Sequence, residues 1–223
     1  MANQLNVTTQ RIDDVVLLLH VMIQINLPEL LNTHLPHHWK QEGLDWSWVI
    51  VIWLAYILSE GDHRKVVVRE WVQQRQTMLE QLCGLQLRET DFTDDRLGIV
   101  LRTLSELSIW QEIETALSRQ TISIYQLPVS CVRLDATTVS GDHELRDEGL
   151  FQFGHSKDKP SLPHLKAMLA SLDPLGMPLA THIVSGEQAD DGLYLPIFEQ
   201  VRQSFETEGL LWVGDCKMEA DGY

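Results

Sequence analysis

Apolar positions along this chain change their spacing once, near Pro128. Between Arg11 and Asn26 they fall at Val15, Leu18, Leu19, Met22 and Ile23, the stripe of an amphipathic helix, and Asp13 and Asp14 suit its amino-terminal end. Leu27-Pro28 interrupts the stripe. The next segment, Glu29 to Trp39, reads as a solvated turn. From Asp45 a run of Trp, Val and Ile predicts a helix to Ser59, closed by Glu60-Gly61-Asp62, and Arg64 to Leu82 predicts another. Thr93 is placed to cap a further helix reaching Leu107, with Asp94 and Asp95 in its first turn.

After Pro128 the helical stripes give way to short β-rich runs divided by glycine and proline. Val129 to Val139 predicts a first strand. Residues 140–163, with Gly141, Gly149, Gly154, Pro160 and Pro163, form a polar loop too long for a simple hairpin. Leu165 to Leu172 and Leu179 to Val184 predict two strands joined by the turn Asp173-Pro174-Leu175-Gly176. Ala189 to Phe205 predicts a helix with Leu193, Ile197 and Val201 on one face. The apolar run Leu210-Leu211-Trp212-Val213 then predicts a buried parallel strand that stops at Gly214-Asp215. The expected organisation is a helical domain over residues 1–127 and a mixed sheet over 128–223, in the order strand, strand, strand, helix, strand. The fold class is α+β or α/β.

With 223 residues, 44 % of them hydrophobic, the chain can bury a substantial core. Trp46 to Leu58 spans only thirteen residues, which favours a buried helix over a membrane span. The three cysteines, Cys83, Cys131 and Cys216, are an odd number, far apart and without C-x-x-C spacing, so a reducing cytoplasm fits best. No basic segment leads into an apolar one at the start, so no secretory signal is expected. Net charge is −15, with ten basic against sixteen acidic residues before Pro128 and seven against sixteen from there on. On charge alone neither half reads as a nucleic-acid binder. Short turns between helices would permit a helix-turn-helix, but no candidate recognition helix is rich in Arg, Lys, Asn or Gln, so packing is the better reading. His34, His37 and His38 lack further ligands at a defined spacing and do not make a metal site. His143, Glu144 and His182 have no evident chemical partner in the sequence.

Two aspartates stand at strand ends: Asp135, in Arg133-Leu-Asp135-Ala-Thr-Thr-Val139, and Asp215. The strand order resembles the opening of a ribonuclease H-like domain, in which the first and fourth strands are neighbours and the two acids would face each other. Paired carboxylates repel unless a divalent cation lies between them, and hard oxygen ligands select Mg²⁺ or Mn²⁺. Two such metals about 4 Å apart can activate an attacking oxygen and stabilise the leaving oxygen of a phosphodiester. Taken singly, an aspartate at a strand end is as readily explained by the turn it caps.

Four segments together resemble insertion-sequence transposases of the DDE type: Arg133-Leu-Asp135-Ala-Thr-Thr-Val-Ser-Gly141, Phe153-Gly154-His-Ser-Lys157-Asp158-Lys159, Asp173-Pro-Leu-Gly176-Met-Pro-Leu179 and Val213-Gly-Asp215-Cys-Lys217-Met218. The amino-terminal segments Leu27-Pro-Glu-Leu-Leu31 and Thr93-Asp-Asp-Arg-Leu-Gly98 resemble the helical region that precedes the catalytic core in that family. The resemblance implies that Asp135 and Asp215 are the first and second acids of a catalytic, metal-binding triad. It also implies Mg²⁺ or Mn²⁺ as cofactor and transposon-end DNA as partner. His155, Lys157 and Lys159 would then be candidate DNA contacts, although the same loop could simply balance Asp158. The family's third acid is a Glu on a helix well beyond the second Asp. Here Glu219 lies too close to Asp215 to take that part, and the sequence ends at Tyr223. The expectation is therefore a carboxy-terminally truncated transposase with an incomplete ribonuclease H-like sheet, inactive in strand transfer.

Two other readings remain open. A non-catalytic DNA-binding or dimerising regulator, assembling with itself or with a full-length transposase, needs no third acid. Asp135-Ala-Thr137-Thr138 with Gly214-Asp215 also resembles haloacid-dehalogenase-type phosphotransferases, where the first Asp is a nucleophile and an acid two residues later is the acid/base. Position 137 is Thr, and no lysine-bearing middle motif is present.

Overall fold

The computed structural model describes residues 9, 11–36, 42–154, 161–205 and 209–214. Seven helices come first: α1 Val15–Gln24, α2 Leu27–His34, α3 Trp46–Glu60, α4 Lys65–Gln74, α5 Gln76–Cys83, α6 Asp94–Leu104 and α7 Leu107–Tyr125. Then follow β1 Cys131–Ser140, β2 His164–Leu172, β3 Met177–Ser185, a 3-10 turn at Asp191–Leu193, α8 Tyr194–Ser204 and β4 Leu211–Val213. The chain divides into two compact units, residues 1–113 and 114–223. That division falls inside α7, whereas the change from helices to strands comes between Tyr125 and Cys131.

In the first unit α3 is the centre. Val49, Ile50, Val51, Ile52, Trp53, Ala55 and Tyr56 are all buried, a nearly continuous set that leaves little solvent face, as befits a helix surrounded by α1, α2, α4 and α6. Its apolar character is thus used in packing. No single helix among the described residues is long and apolar enough to cross a membrane. Gly61 ends α3 at φ 62° with its N–H returned to the Ile57 carbonyl, the left-handed stop that glycine adopts without strain. The segment after Leu27 is helical to His34, where a turn was expected, because Pro28 sits in the first turn of α2 and needs no hydrogen-bond donor there. His34 lies 3.5 Å from the Glu112 carboxylate, while His37 and His38 fall outside the described residues. The helix expected from Arg64 to Leu82 breaks at Arg75. Its buried guanidinium lies over the Trp71 ring at 4.5 Å and reaches Glu60 at 3.2 Å and Asp13 at 3.4 Å.

Asp91, with no exposed surface, ties the loops of this unit together. Its carboxylate accepts from the backbone N–H groups of Leu44 (2.9 Å) and Arg88 (2.8 Å) and lies 3.4 Å from Arg96 Nη1. Arg96, on α6, in turn donates to the carbonyls of Glu42 and Leu44. Gly43 is at φ +88°, and a Cβ there would stand 2.2 Å from Asp91 Oδ1. At the start of α6 the expected cap is present, with Thr93 Oγ1 accepting from the Arg96 N–H.

The second unit is an open four-stranded mixed sheet in the spatial order β3-β2-β1-β4. β1 pairs antiparallel with β2, from Val132↔Leu172 through Asp135↔Leu169 to Ser140↔His164. On its other edge it pairs parallel with β4, Cys131↔Leu211, Val132↔Trp212 and Arg133↔Val213. The strand-strand-strand-helix-strand order expected from the sequence is present, with the first and fourth strands adjacent.

One face of the sheet carries the core. Val132 and Leu134 of β1, Met168, Ala170 and Leu172 of β2, and Leu179, Ala180 and Val184 of β3 pack against Leu193, Tyr194, Ile197 and Val201. The alternation of β1 sends Arg133, Asp135, Thr137 and Val139 to the opposite, exposed face. The helix expected from Ala189 is narrower, since residues 191–193 form a 3-10 turn, but its predicted inner face is the one buried. β4 departs from expectation in burial: Leu211 is 62 % exposed and Trp212 and Val213 are partly so. β4 is the outermost strand among the described residues, with a neighbour on one side only, and Trp212 finds cover by packing on Phe198 of α8 at 4.4 Å between ring centroids. The opposite edge, β3, is closed by α7. Glu114 accepts from Thr181 N–H (2.9 Å) and Oγ1 (2.6 Å), and Ser118 Oγ donates to the Leu179 carbonyl (3.2 Å), which removes that edge from further pairing.

Asp91→Ala is expected to destabilise the helical unit by about 3 kcal/mol, because the buried Leu44 N–H, the partly buried Arg88 N–H and Arg96 lose a shared, fully buried acceptor. Urea unfolding followed by tryptophan fluorescence checks this, and a loss below about 0.5 kcal/mol would assign the loop closure to other contacts.

Candidate functional site

Asp135 lies in the middle of β1 on the exposed face of the sheet, opposite Leu169 of β2. The strand period of two places Arg133 and Thr137 beside it on that face. Among the described residues no hydrogen bond or ion pair to the Asp135 carboxylate is seen. The β1–β4 pairing ends at Arg133↔Val213, two residues before Asp135 on one strand and two before Asp215 on the other. Asp215 itself lies outside the described residues, as do His155, Lys157 and Lys159. Of the residues singled out from the sequence for catalysis, metal or DNA, Asp135 is the one the structure locates. Among the described residues no group of three or more His, Cys, Asp or Glu side chains could hold a metal ion.

The best-formed polar contact near Asp135 joins Arg133 to Asp173 at the β2–β3 turn. Arg133 donates through Nε at 3.2 Å and Nη2 at 2.7 Å to the two carboxylate oxygens, the forked geometry that suits a guanidinium. Asp173 is anchored by its own N–H, which donates to the Cys131 carbonyl at 3.1 Å. Hydrogen bonding from Arg133 holds the Asp173 carboxyl below its ordinary value of 3.8, with burial opposing and the Arg133 charge adding. The reciprocal bond from Asp173 raises the Arg133 guanidinium, and the charge on Asp135 contributes in the same direction. The Arg133 guanidinium therefore feels the Asp135 charge although it is bonded to Asp173.

A second polar anchor lies on the core face. Lys166 of β2, opposite Thr138 of β1, is 3 % exposed. Its ammonium donates to the Gln188 carbonyl at 2.5 Å and to Asp190 Oδ1 at 2.6 Å, which fastens the connection between β3 and α8. A buried lysine requires such partners, since an unpaired ammonium would lose its hydration without compensation. Nearby backbones approach closely: a Cβ on Gly186 would stand 2.0 Å from the His164 carbonyl oxygen, and one on Gly154 would stand 2.1 Å from that of Gly186. His164 is fully buried there, with Nε2 lacking a partner among the described residues. In the loop after β1, His143 packs on Phe151 with ring centroids 3.8 Å apart.

Sequence reading singled out neither the Arg133–Asp173 pair nor the Lys166–Asp190 pair. The partners lie 40 and 24 residues apart, and only strand register brings them together. The available signals were the Asp opening a turn directly after β2 and a single Lys on β2 between the apolar Leu165 and Ala167.

The folded-state value of Asp173 is depressed, so the stability it contributes is complete above pH ~4 and is lost as pH falls through that depressed value. Asp173→Asn is expected to lower stability at pH 7 and to flatten the decline of stability below pH ~4. Urea midpoints for both proteins at pH 7 and at pH 3 measure this, and equal acid slopes would contradict it.

Comparison of the chain with family models, with curated proteins and with solved structures finds no match. What stands is a helical region followed by an open mixed sheet whose first and fourth strands are parallel neighbours, with one exposed aspartate on the first.

Proposed function

We propose that this chain carries the first two metal-binding acids of a ribonuclease H-like, DDE-type transposase core, and that its chemistry belongs to DNA strand cleavage and transfer. The observation that supports the reading most directly is the parallel register Arg133↔Val213. Counting two residues forward on both strands reaches Asp135 and Asp215, the two acids singled out by sequence. Because strands repeat every two residues, a register that continued would set both carboxylates on one face. A site of that kind fits the exposed Asp135 carboxylate, which has no protein partner among the described residues and offers only hard oxygen donors. Mg²⁺ or Mn²⁺ bound there would supply Lewis-acid activation of an attacking oxygen and stabilisation of a leaving oxygen.

The part played by the protein is to hold the acids. β1 is paired with β2 from Val132 to Ser140 and with β4 over Cys131 to Arg133, so Asp135 is presented from a strand of fixed register. His155, Lys157 and Lys159 are proposed to contact the phosphate backbone of a transposon end, supplying a local cluster of positive charge on a net-acidic chain.

Titration of the 223-residue chain with Mn²⁺, followed by electron paramagnetic resonance, tests the reading. Asp135→Asn and Asp215→Asn are each expected to weaken binding by about tenfold or more, because each removes an anionic ligand from a shared ion. Unchanged affinity in either variant would remove that residue from the site.

A further inference from the structure

We infer that Asp173 is a positioning residue that holds Arg133 away from Asp135 and so keeps the Asp135 carboxylate open to a cation. The inference rests on the metal-binding reading of Asp135. Arg133 and Asp135 are alternate residues on the same face of β1, about 7 Å apart along a strand, a distance an arginine side chain can span. Left to itself, a guanidinium at that spacing on the same exposed face is within reach of the acid. Instead both carboxylate oxygens of Asp173 engage it, at 2.7 Å and 3.2 Å.

Asp173 can do this because of the β1–β2 register. The pair Val132↔Leu172 ends the antiparallel ladder, and the Asp173 N–H donates to the Cys131 carbonyl, which sets the carboxylate beside Arg133. Cys131 Sγ, 3.9 Å from Asp173 Oδ2, adds a weak donor on the same side. Asp135, by contrast, has no hydrogen-bonded or ion-paired partner among the described residues. A cation already paired with a carboxylate competes directly with a divalent ion for it, so removing the competitor favours metal binding. The pair therefore does more than brace the turn: it divides two acids between one arginine and one metal.

A double-mutant cycle on the full chain tests this, with Mn²⁺ affinity as the readout and wild type, Asp173→Asn, Arg133→Gln and the double variant compared. Asp173→Asn is expected to weaken Mn²⁺ binding by about fivefold, the competition expected of one partly exposed ion pair. Arg133→Gln alone should change it by less than about twofold, and the double variant should return to within about twofold of wild type. Such non-additivity separates capture of Arg133 from a simple change in net charge. Additive effects, or a double variant as weak as Asp173→Asn, overturn the inference.

A second readout is independent of metal: scalar coupling across the hydrogen bond from Arg133 Nε–H to a carboxylate carbon, measured by nuclear magnetic resonance. Coupling to Asp173 in wild type and to Asp135 in Asp173→Asn supports the inference. No coupling to Asp173 in wild type, or a solvated Arg133 in the variant, overturns it. If wild type and Asp135→Asn bind Mn²⁺ equally, the metal reading fails by itself, and this coupling still decides whether Asp173 withholds Arg133 from Asp135. If Asp173→Asn does not fold, the wild-type coupling and the Arg133→Gln affinity decide: coupling to Asp173 with an affinity change below about twofold supports the inference, and a larger gain overturns it.

Discussion

β1 is hydrogen-bonded along both edges, antiparallel to β2 and parallel to β4, and the geometry of the second unit depends on that double pairing. A strand held on both sides cannot slip by one residue without exchanging its two faces. Here one face carries Val132 and Leu134 into the core and the other carries Arg133 and Asp135 into solvent, so a slip would bury two charges and expose two core residues. Burial of the apolar set against α8 therefore also fixes which way the candidate acid points. The parallel partner matters for the same reason, since it brings the end of a chain segment some eighty residues distant alongside β1.

Charge on the exposed face is organised by the neighbouring turn. Arg133 would be the natural counter-ion of Asp135, yet the β1–β2 ladder ends where Asp173 can take its guanidinium in a forked pair. On the core face Lys166 plays a different part: its ammonium is satisfied by Gln188 and Asp190, and in satisfying it the chain fastens the connection that leads into α8. Sheet position and helix position are thus linked by a buried cation as well as by apolar packing. In the helical unit a buried anion does comparable work, with Asp91 gathering the 42–45 and 88–91 segments and the start of α6.

Much of the architecture was legible in the sequence because periodicity reports which side of an element is buried. The stripe Leu193, Ile197 and Val201, the cap at Thr93, the stop at Gly61 and the turn at Asp173 all appear where local chemistry places them. Departures have local physical reasons. Pro28 starts a helix as readily as it ends one, so the segment to His34 is helical. Arg75 finds Glu60, Asp13 and the Trp71 ring around it, which fixes a break between α4 and α5 that apolar spacing does not announce. An apolar run such as Leu210 to Val213 reads as buried in isolation, but its exposure depends on how many neighbours the strand has.

By itself the sequence determined the strand-strand-strand-helix-strand order of the second unit and the apolar face of α8, and it singled out Asp135, which was expected at a strand end and lies instead in the middle of β1. These follow from residue spacing and from turn and cap chemistry, which act over a few residues. The resemblance led one to expect β1 and β4 side by side, and they are; only the tertiary structure decided that β3 is sealed by Glu114 of α7, and that Arg133 belongs to Asp173 while Asp135 has no partner among the described residues. Those outcomes join residues tens of positions apart. Strand register and the need of each buried or forked charge for a partner settle them, and neither leaves a periodic trace along the chain.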